Sequence, residues 1–398
     1  MTTRTDMRLM KPSVLFITGR LAPWITGGAN RLEYNLVRWV ASDRLVELTL
    51  LGTVPPSPKN PLSDYPSNVT VCAVKSSTAA DSFGDIAISN VVYPLAVSRQ
   101  RYDIVHFNIL PGLRTLSLMW MLHSQKNRIK RVVNIHGYPG EVRLYSDSIA
   151  EQMVSNIHWK TASLFLNSFD AVVVHSNSMK KIVNEIGIET KRILFIPNGI
   201  PDELSLAARS TTISDVVLCV GNLYPIKGQD LLIRAFARSS ISKTHKLVFV
   251  GEGNPAFKNQ CKILASVMGV NDKVSFSGFL SQDELREKIL SSKVCVFPSR
   301  FEPAGSAILE AMSLRKAIIA TMKGGPTDYI EDGEEGCLVD PAETEQFAEL
   351  LDKVCTERGL RERLGNNAAI KSRQYSWSQI TKKYEQLYLS LVGASAGT

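Results

Sequence analysis

Along the first half of the chain, short apolar runs alternate with Gly-, Pro- and Asn-rich turns and amphipathic stretches. SVLFIT, VELTLLG, NVTVCAV, DIVHFN, VVNIHG, AVVVHS and ILFIPNG read as strands, and RLEYNLVRWVAS reads as a helix with Leu32, Leu36, Trp39 and Val40 on one face. Strands separated by helical segments predict βα units around a parallel sheet. After Pro201 the segment PDELSLAARSTTISD loses the apolar period, and then the pattern starts afresh. DVVLCV, KLVFVGEGN, KVSFSGFL, KVCVFPSR, KAIIAT and GCLVD form a second set of strands. The sequence therefore predicts an α/β protein of two doubly wound Rossmann-like domains, residues 1–203 and 204–375. A last helix over 376–393 spaces Trp377, Ile380, Tyr384, Leu387 and Tyr388 along one face.

Composition narrows the class. Apolar residues are 44% and charged residues 21% of 398, the usage of an ordinary globular chain rather than of disorder or a fibrous repeat. No apolar stretch approaches the roughly 18 residues of a bilayer span, and the opening MTTRTDMRLMKP lacks the apolar core of a signal peptide, which predicts a cytoplasmic protein. The six cysteines form no C-x-x-C pair, and Cys219 and Cys295 fall inside strand runs. The net charge of +8 belongs to residues 1–200, with 22 basic and 14 acidic side chains, against 24 of each in the remainder. Lys126, Arg128, Lys130 and Arg131 lie near the apolar stretch LSLMWMLH, a pattern for peripheral contact with an anionic membrane or, equally, for a buried helix with a basic end. No motif supports nucleic-acid binding.

The dinucleotide fingerprint G-x-G-x-x-G and the P-loop are both absent, and no two aspartates stand at i and i+2 to hold a divalent ion. Any phosphate must be met by amides and cations. The richest segment is PSRFEPAGSAILEAMS, from Pro298 to Ser313. A strand ends at Pro298, Pro303 and Gly305 fit a turn and helix entry, and SAILEAMS continues as helix. Glu302 and Glu310 are eight residues apart, about 12 Å of helical rise, so they could hold two ends of a polyhydroxyl ligand with the amides of Ala304, Gly305 and Ser306 facing an anion between them. The same pair also reads as solvated carboxylates, Glu302 merely favouring the helix dipole.

This segment resembles the E-x7-E motif of the retaining family 4 glycosyltransferases (group 1, GT-B fold). Other pieces occur in the family's order: Gly27-Gly28, DIVHFN, His136-Gly137, Asn198-Gly199, the G-x5-K-G loop from Gly221 to Gly228, GGPTDYIEDGEEGCLVDP and YSWSQITKKYEQLY. The resemblance spans residues 14–388. It implies two domains facing a central cleft, the first binding acceptor, the second binding nucleotide sugar, and the terminal helix crossing back to the first.

The resemblance also implies roles. Glu310 would bind ribose hydroxyls, Glu302 the donor sugar, and Lys227 the diphosphate, with Gly27, Gly28, Gly305 and Ser306 approaching the donor through backbone. His136, at a strand end followed by glycine, would lie near the reacting carbon; His106 and His175 are not expected to act, and Glu141 is a guess for orienting His136 or touching acceptor. The implied reaction moves a hexosyl unit from a nucleotide diphosphate sugar to an acceptor hydroxyl with retention, without a metal or other cofactor, toward a polysaccharide or a glycolipid or other glycoconjugate. The acceptor would be a saccharide or a lipid-linked sugar. One departure stands out: Asn222 occupies a donor-binding position where the family commonly has arginine, a charge that Arg20, Arg31 or Arg300 could replace. Asn222 is also the main support for the alternative, a non-catalytic sugar-nucleotide-binding subunit. Asp328 stands where glutamate is common.

Overall fold

A computed structural model describes residues 11–21, 28–43, 45–54, 65–75, 83–98, 100–108, 115–124, 128–137, 149, 152–153, 156–157, 164–202 and 213–393. The first set of strands is β1 (Ser13–Arg20), β2 (Glu47–Val54), β3 (Val69–Lys75), β4 (Ile104–Phe107), β5 (Lys130–Ile135), β6 (Ala171–Val174) and β7 (Ile193–Phe195). They form one parallel sheet in the order β3-β2-β1-β4-β5-β6-β7. Helices α1 (Gly28–Asp43), α2 (Phe83–Ser98), α3 (Leu116–Ser124) and α4 (Asn177–Glu185) connect and cover it. The second sheet holds β8 (Val216–Val220), β9 (Lys246–Val250), β10 (Val274–Phe276), β11 (Val294–Phe297), β12 (Ile318–Thr321) and β13 (Cys337–Val339), in the order β10-β9-β8-β11-β12-β13. Its helices are α5 (Gln229–Arg238), α6 (Pro255–Val267), α7 (Gln282–Ser291), α8 (Ser306–Ser313), α9 (Thr344–Thr356) and α10 (Arg358–Ser372), and the last helix is α11 (Trp377–Gly393).

Each apolar run read as a strand is a strand. β4, β6, β11 and β12 are buried at every position, as expected where helices cover both faces of a parallel sheet. In each sheet the chain order reverses beside the first strand, between β1 and β4 and between β8 and β11. Ligands of open α/β sheets bind outside the carboxyl ends of strands at such points.

Trp377, Ile380, Tyr384, Leu387 and Tyr388 of α11 are buried in one cluster with Val14, Phe16, Leu36 and Val40, so the last helix belongs to the first core. Each such side chain contributes roughly 2 kcal/mol by leaving water. The crossing is double: the Ile200 N–H donates to the Tyr375 carbonyl at 2.8 Å and the Trp377 N–H donates to the Ile200 carbonyl at 2.9 Å. The expected boundary between residues 203 and 204 lies outside the described residues.

Among the described residues, no helix is long and apolar enough to cross a membrane. The basic residues expected beside α3 differ in exposure. Arg131 is wholly buried in β5 and Lys130 stands 3.9 Å from the Asp170 carboxylate, because the strand that carries them is interior; Arg128 is exposed, and Lys126 lies outside the described residues.

Candidate functional site

The loops that leave β8 and β11 bring the main charged residues together. After β8 the chain makes a short turn at Pro225–Lys227 and ends it at Gly228, whose φ of 67° and close approach to the Pro298 carbonyl exclude a side chain. That turn presents Lys227 to Glu302, the first carboxylate of the E-x7-E segment. Lys227 Nζ donates to Glu302 Oε2 at 2.7 Å, and the Ser299 hydroxyl donates to the same oxygen at 2.9 Å. Glu302 is buried, while Lys227 keeps part of its surface. The Glu302 backbone is fixed as well, its N–H donating to the Lys323 carbonyl and its carbonyl accepting from the Gly325 N–H.

Three residues on, Gly305 precedes α8 with φ 77° in the left-handed region, and a side chain there would strike the Tyr329 hydroxyl. Tyr329 donates that hydroxyl hydrogen to the Ala304 carbonyl at 2.6 Å, which pins the turn. The N-cap of α8, Gly305, offers no side chain to cap the helix. Its first amides and the positive end of its dipole therefore follow closely on Glu302, whose carboxylate holds Lys227, a setting suited to an anion. Ser306 is the first helical residue and its Oγ receives Asn198 Nδ2 at 2.7 Å. Glu310 follows on α8, half-buried.

Asn222 is exposed just beyond β8, and its carbonyl accepts from Gln229 Nε2 and the Tyr224 N–H. Arg300, one candidate for the arginine's role, is already engaged. Its guanidinium grips Asp230 at 2.8 and 2.6 Å and also donates to the Pro225 carbonyl, so it braces the turn that carries Lys227. The side chains of Arg20 and Arg31 lie outside what is described, as do Gly27 and Glu141; Gly28 opens α1.

Across the cleft, at the ends of β4, β5 and β6, three histidines cluster. His136 stacks on His175 with ring centroids 4.7 Å apart, and its Nε2 donates to Asn108 Oδ1 at 2.8 Å. Asn108 Oδ1 also accepts from Asn134 Nδ2, and Asn134 Oδ1 accepts from the Tyr384 hydroxyl of α11. His106 Nδ1 pairs with the Tyr388 hydroxyl at 2.6 Å, and His175 Nδ1 donates to the Ile196 carbonyl. Burial lowers all three rings: His106 to about 3, His175 to about 4, and His136 well below the ordinary value, helped by its two neighbours. The cluster is uncharged at neutral pH. A neutral His136 whose single proton sits on Nε2 offers Nδ1 as an acceptor.

The two domains also meet directly. Asp328 accepts from the Asn177 N–H at 2.8 Å and from Asn177 Nδ2 at 3.0 Å at the N-terminus of α4, and Phe301 packs on the core of the first domain. Asn108, Asn134, Ser299, Asp230 and Asn177 were not singled out from sequence as partners of the site, and Asn198 was named only with Gly199 as a piece of the resemblance, with no partner assigned. The signal that pointed to Asn108, Asn134, Asn198 and Ser299 was their place at or just beyond the ends of parallel strands, where polar residues gather around ligands; Asp230 and Asn177 stand in the first turns of α5 and α4.

Residues 26–204 match the family model described as Glycosyltransferase Family 4, and residues 208–371 match the one described as Glycosyl transferases group 1. An uncharacterized glycosyltransferase of Methanocaldococcus jannaschii, MJ1607, is 31% identical over 315 residues, 72% of this chain and 75% of that one. The lipopolysaccharide core biosynthesis glycosyltransferase LpsE of Rhizobium meliloti is 29% identical over 58% of this chain and 68% of its own. Other relatives are matched over about half of their lengths, 45% and 48% in two cases. Among solved structures, Anabaena HepE in complex with UDP and glucose superposes with a TM-score of 0.74 at 18% identity, covering 94% of this chain and 99% of that one. That likeness speaks for the shared GT-B fold.

Proposed function

The chain belongs to the group 1, family 4 glycosyltransferases, and from that premise we propose that it moves a hexosyl unit from a nucleotide diphosphate sugar to an acceptor hydroxyl with retention at the anomeric carbon. The observation that carries this reading is the Lys227–Glu302 pair beside the N-terminus of α8. An ammonium group has three hydrogens. One is directed at Glu302, which leaves two for the oxygens of a diphosphate held against the amides of Gly305 and Ser306. These groups meet the negative charge that grows on the leaving diphosphate, the task a metal performs elsewhere, and no metal is required in this scheme.

Glu302 then addresses the donor sugar and Glu310 the ribose, while Gly27, Gly28 and the backbone around Asn222 line the donor. His136 faces the sugar from the first domain with Nδ1 as acceptor. In the step itself the bond from the anomeric carbon to the diphosphate oxygen breaks and a bond to the acceptor oxygen forms on the same face. The acceptor proton passes to the leaving phosphate oxygen, giving a nucleoside diphosphate and a glycoside. HepE, which was solved with UDP and glucose, supports a sugar nucleotide as donor, and LpsE supports a saccharide or lipid-linked acceptor in polysaccharide or glycolipid synthesis. A cytoplasmic place with peripheral membrane contact fits the exposed Trp120 on α3 and Arg128 nearby.

Thermal shift against UDP-, GDP-, ADP- and TDP-sugars, followed by release of nucleoside diphosphate from the stabilising donor, tests the reading. One donor should raise the melting temperature, and Lys227→Ala and Glu310→Ala should abolish turnover. Turnover undiminished in both variants would sink it.

A further inference from the structure

Resting on the donor reading above, we propose that Asn198 is a positioning residue: from the first domain it turns the Ser306 hydroxyl so that its hydrogen points at a donor phosphate on the N-terminus of α8. Asn198 lies in the loop after β7, is 6% exposed, and donates Nδ2 to Ser306 Oγ at 2.7 Å. A serine hydroxyl has one hydrogen. When its oxygen receives the amide N–H, that hydrogen swings away from Asn198 and is available to another acceptor. The cap residue Gly305 has no side chain to take it, and the helix end favours an anion. With the amide turned over, Ser306 would donate to Asn198 and would present only lone pairs to the phosphate.

A second observation points the same way. Asn198 Oδ1 is buried and has no hydrogen-bond partner among the described residues. Burying an unpaired amide oxygen costs stability, and a crossing loop that needed only to pack would be better served by an apolar residue. The donor half of this amide is what the fold uses, and it reaches over 108 residues of sequence into the other domain. Because one partner sits in each domain, the hydroxyl is oriented only while the domains are apposed. Phosphate binding and cleft closure are thereby coupled through one hydrogen bond.

The test is calorimetric titration of UDP, GDP, ADP and TDP, followed with the tightest of them through Asn198→Ala, Ser306→Ala and the double variant. Each single substitution should weaken binding by roughly 10-fold, the effect of one hydrogen bond to a charged group, and the double no more than the singles. Asn198→Asp, which keeps the shape and draws the hydroxyl hydrogen to itself, should weaken binding at least as much, while Ser306→Thr should retain it. Losses that add in the double variant, or Asn198→Ala binding as tightly as the unsubstituted protein, overturn the proposal. If the unsubstituted protein binds none of the four diphosphates, the donor reading itself falls and takes this one with it.

Discussion

The carboxylate of Asp328, in the second domain, caps α4 of the first through Asn177, at 2.8 Å to its N–H and 3.0 Å to Nδ2. Ser176 already satisfies the Met179 N–H at the same helix end. Asp328 therefore adds a charge to the positive end of the α4 dipole and ties the domains together across the cleft. Water reaches this pair, so Asp328→Ala should cost only about 1 kcal/mol in urea unfolding. Its larger effect should be on shape, as an increased radius of gyration in small-angle scattering. Scattering identical to that of the unsubstituted protein would show that the cap does not hold the cleft closed.

Much of this site was legible because its residues stand close in sequence or mark strand ends. Lys227 and Gly228 share the loop after β8, and Glu302, Gly305, Ser306 and Glu310 share the turn and helix after β11, while the family resemblance rather than spacing alone tied the two segments to one site. The partners supplied by domain docking were not legible. Asn198 meets Ser306 and Asn177 meets Asp328 over 108 and 151 residues, and no periodicity encodes which turn of one sheet will face which turn of the other. Arg300 illustrates the opposite hazard. An arginine near a phosphate site invites a ligand role, yet its fork matches the Asp230 carboxylate in geometry, and that pairing was invisible until the turn at Pro225 was placed beside it.

Arg300 should accordingly act through Lys227. Arg300→Lys keeps the charge but loses the two-pronged grip on Asp230 and the bond to Pro225. With the turn loosened, the KM for donor should rise by about 10-fold while kcat changes less, as expected when a binding group is misplaced rather than removed. Initial-rate kinetics at two ionic strengths check this. A loss that grows steeply with salt in the unsubstituted enzyme and vanishes in the variant would instead make Arg300 a phosphate ligand.

The histidine cluster sets a pH dependence of stability. His175 titrates near 4 and His106 near 3 in the folded protein, against the ordinary 6.5 of an unfolded chain. Between pH 6.5 and about 4 the unfolded state therefore binds more protons than the folded state, and stability must fall as pH falls. The slope should be on the order of 1.4 kcal/mol per pH unit for each ring. Urea unfolding from pH 7.5 to 4.5 measures it, and His175→Asn, which can still donate to the Ile196 carbonyl, should flatten it. An unchanged slope in that variant would mean that His175 is not excluded from protonation by the fold.

Gly305 and Tyr329 make a paired prediction. Gly305→Ala places a methyl group against the Tyr329 hydroxyl and forces an L-residue to φ 77°, so it should destabilise the protein by roughly 1–3 kcal/mol and tilt the amides that begin α8. The nearest obstacle is that hydroxyl oxygen, with the end of the Ile308 side chain next. Removing the oxygen with Tyr329→Phe frees its space but also releases the Ala304 carbonyl from its 2.6 Å bond, so that substitution alone should lower donor affinity modestly. Combined, the two should be less damaging than the sum of the singles, because the nearest clash is relieved while the backbone strain stays. Chemical denaturation and donor titration of the three variants decide the matter: strict additivity would mean that the turn yields elsewhere and that Tyr329 does not fix the approach of the chain to α8.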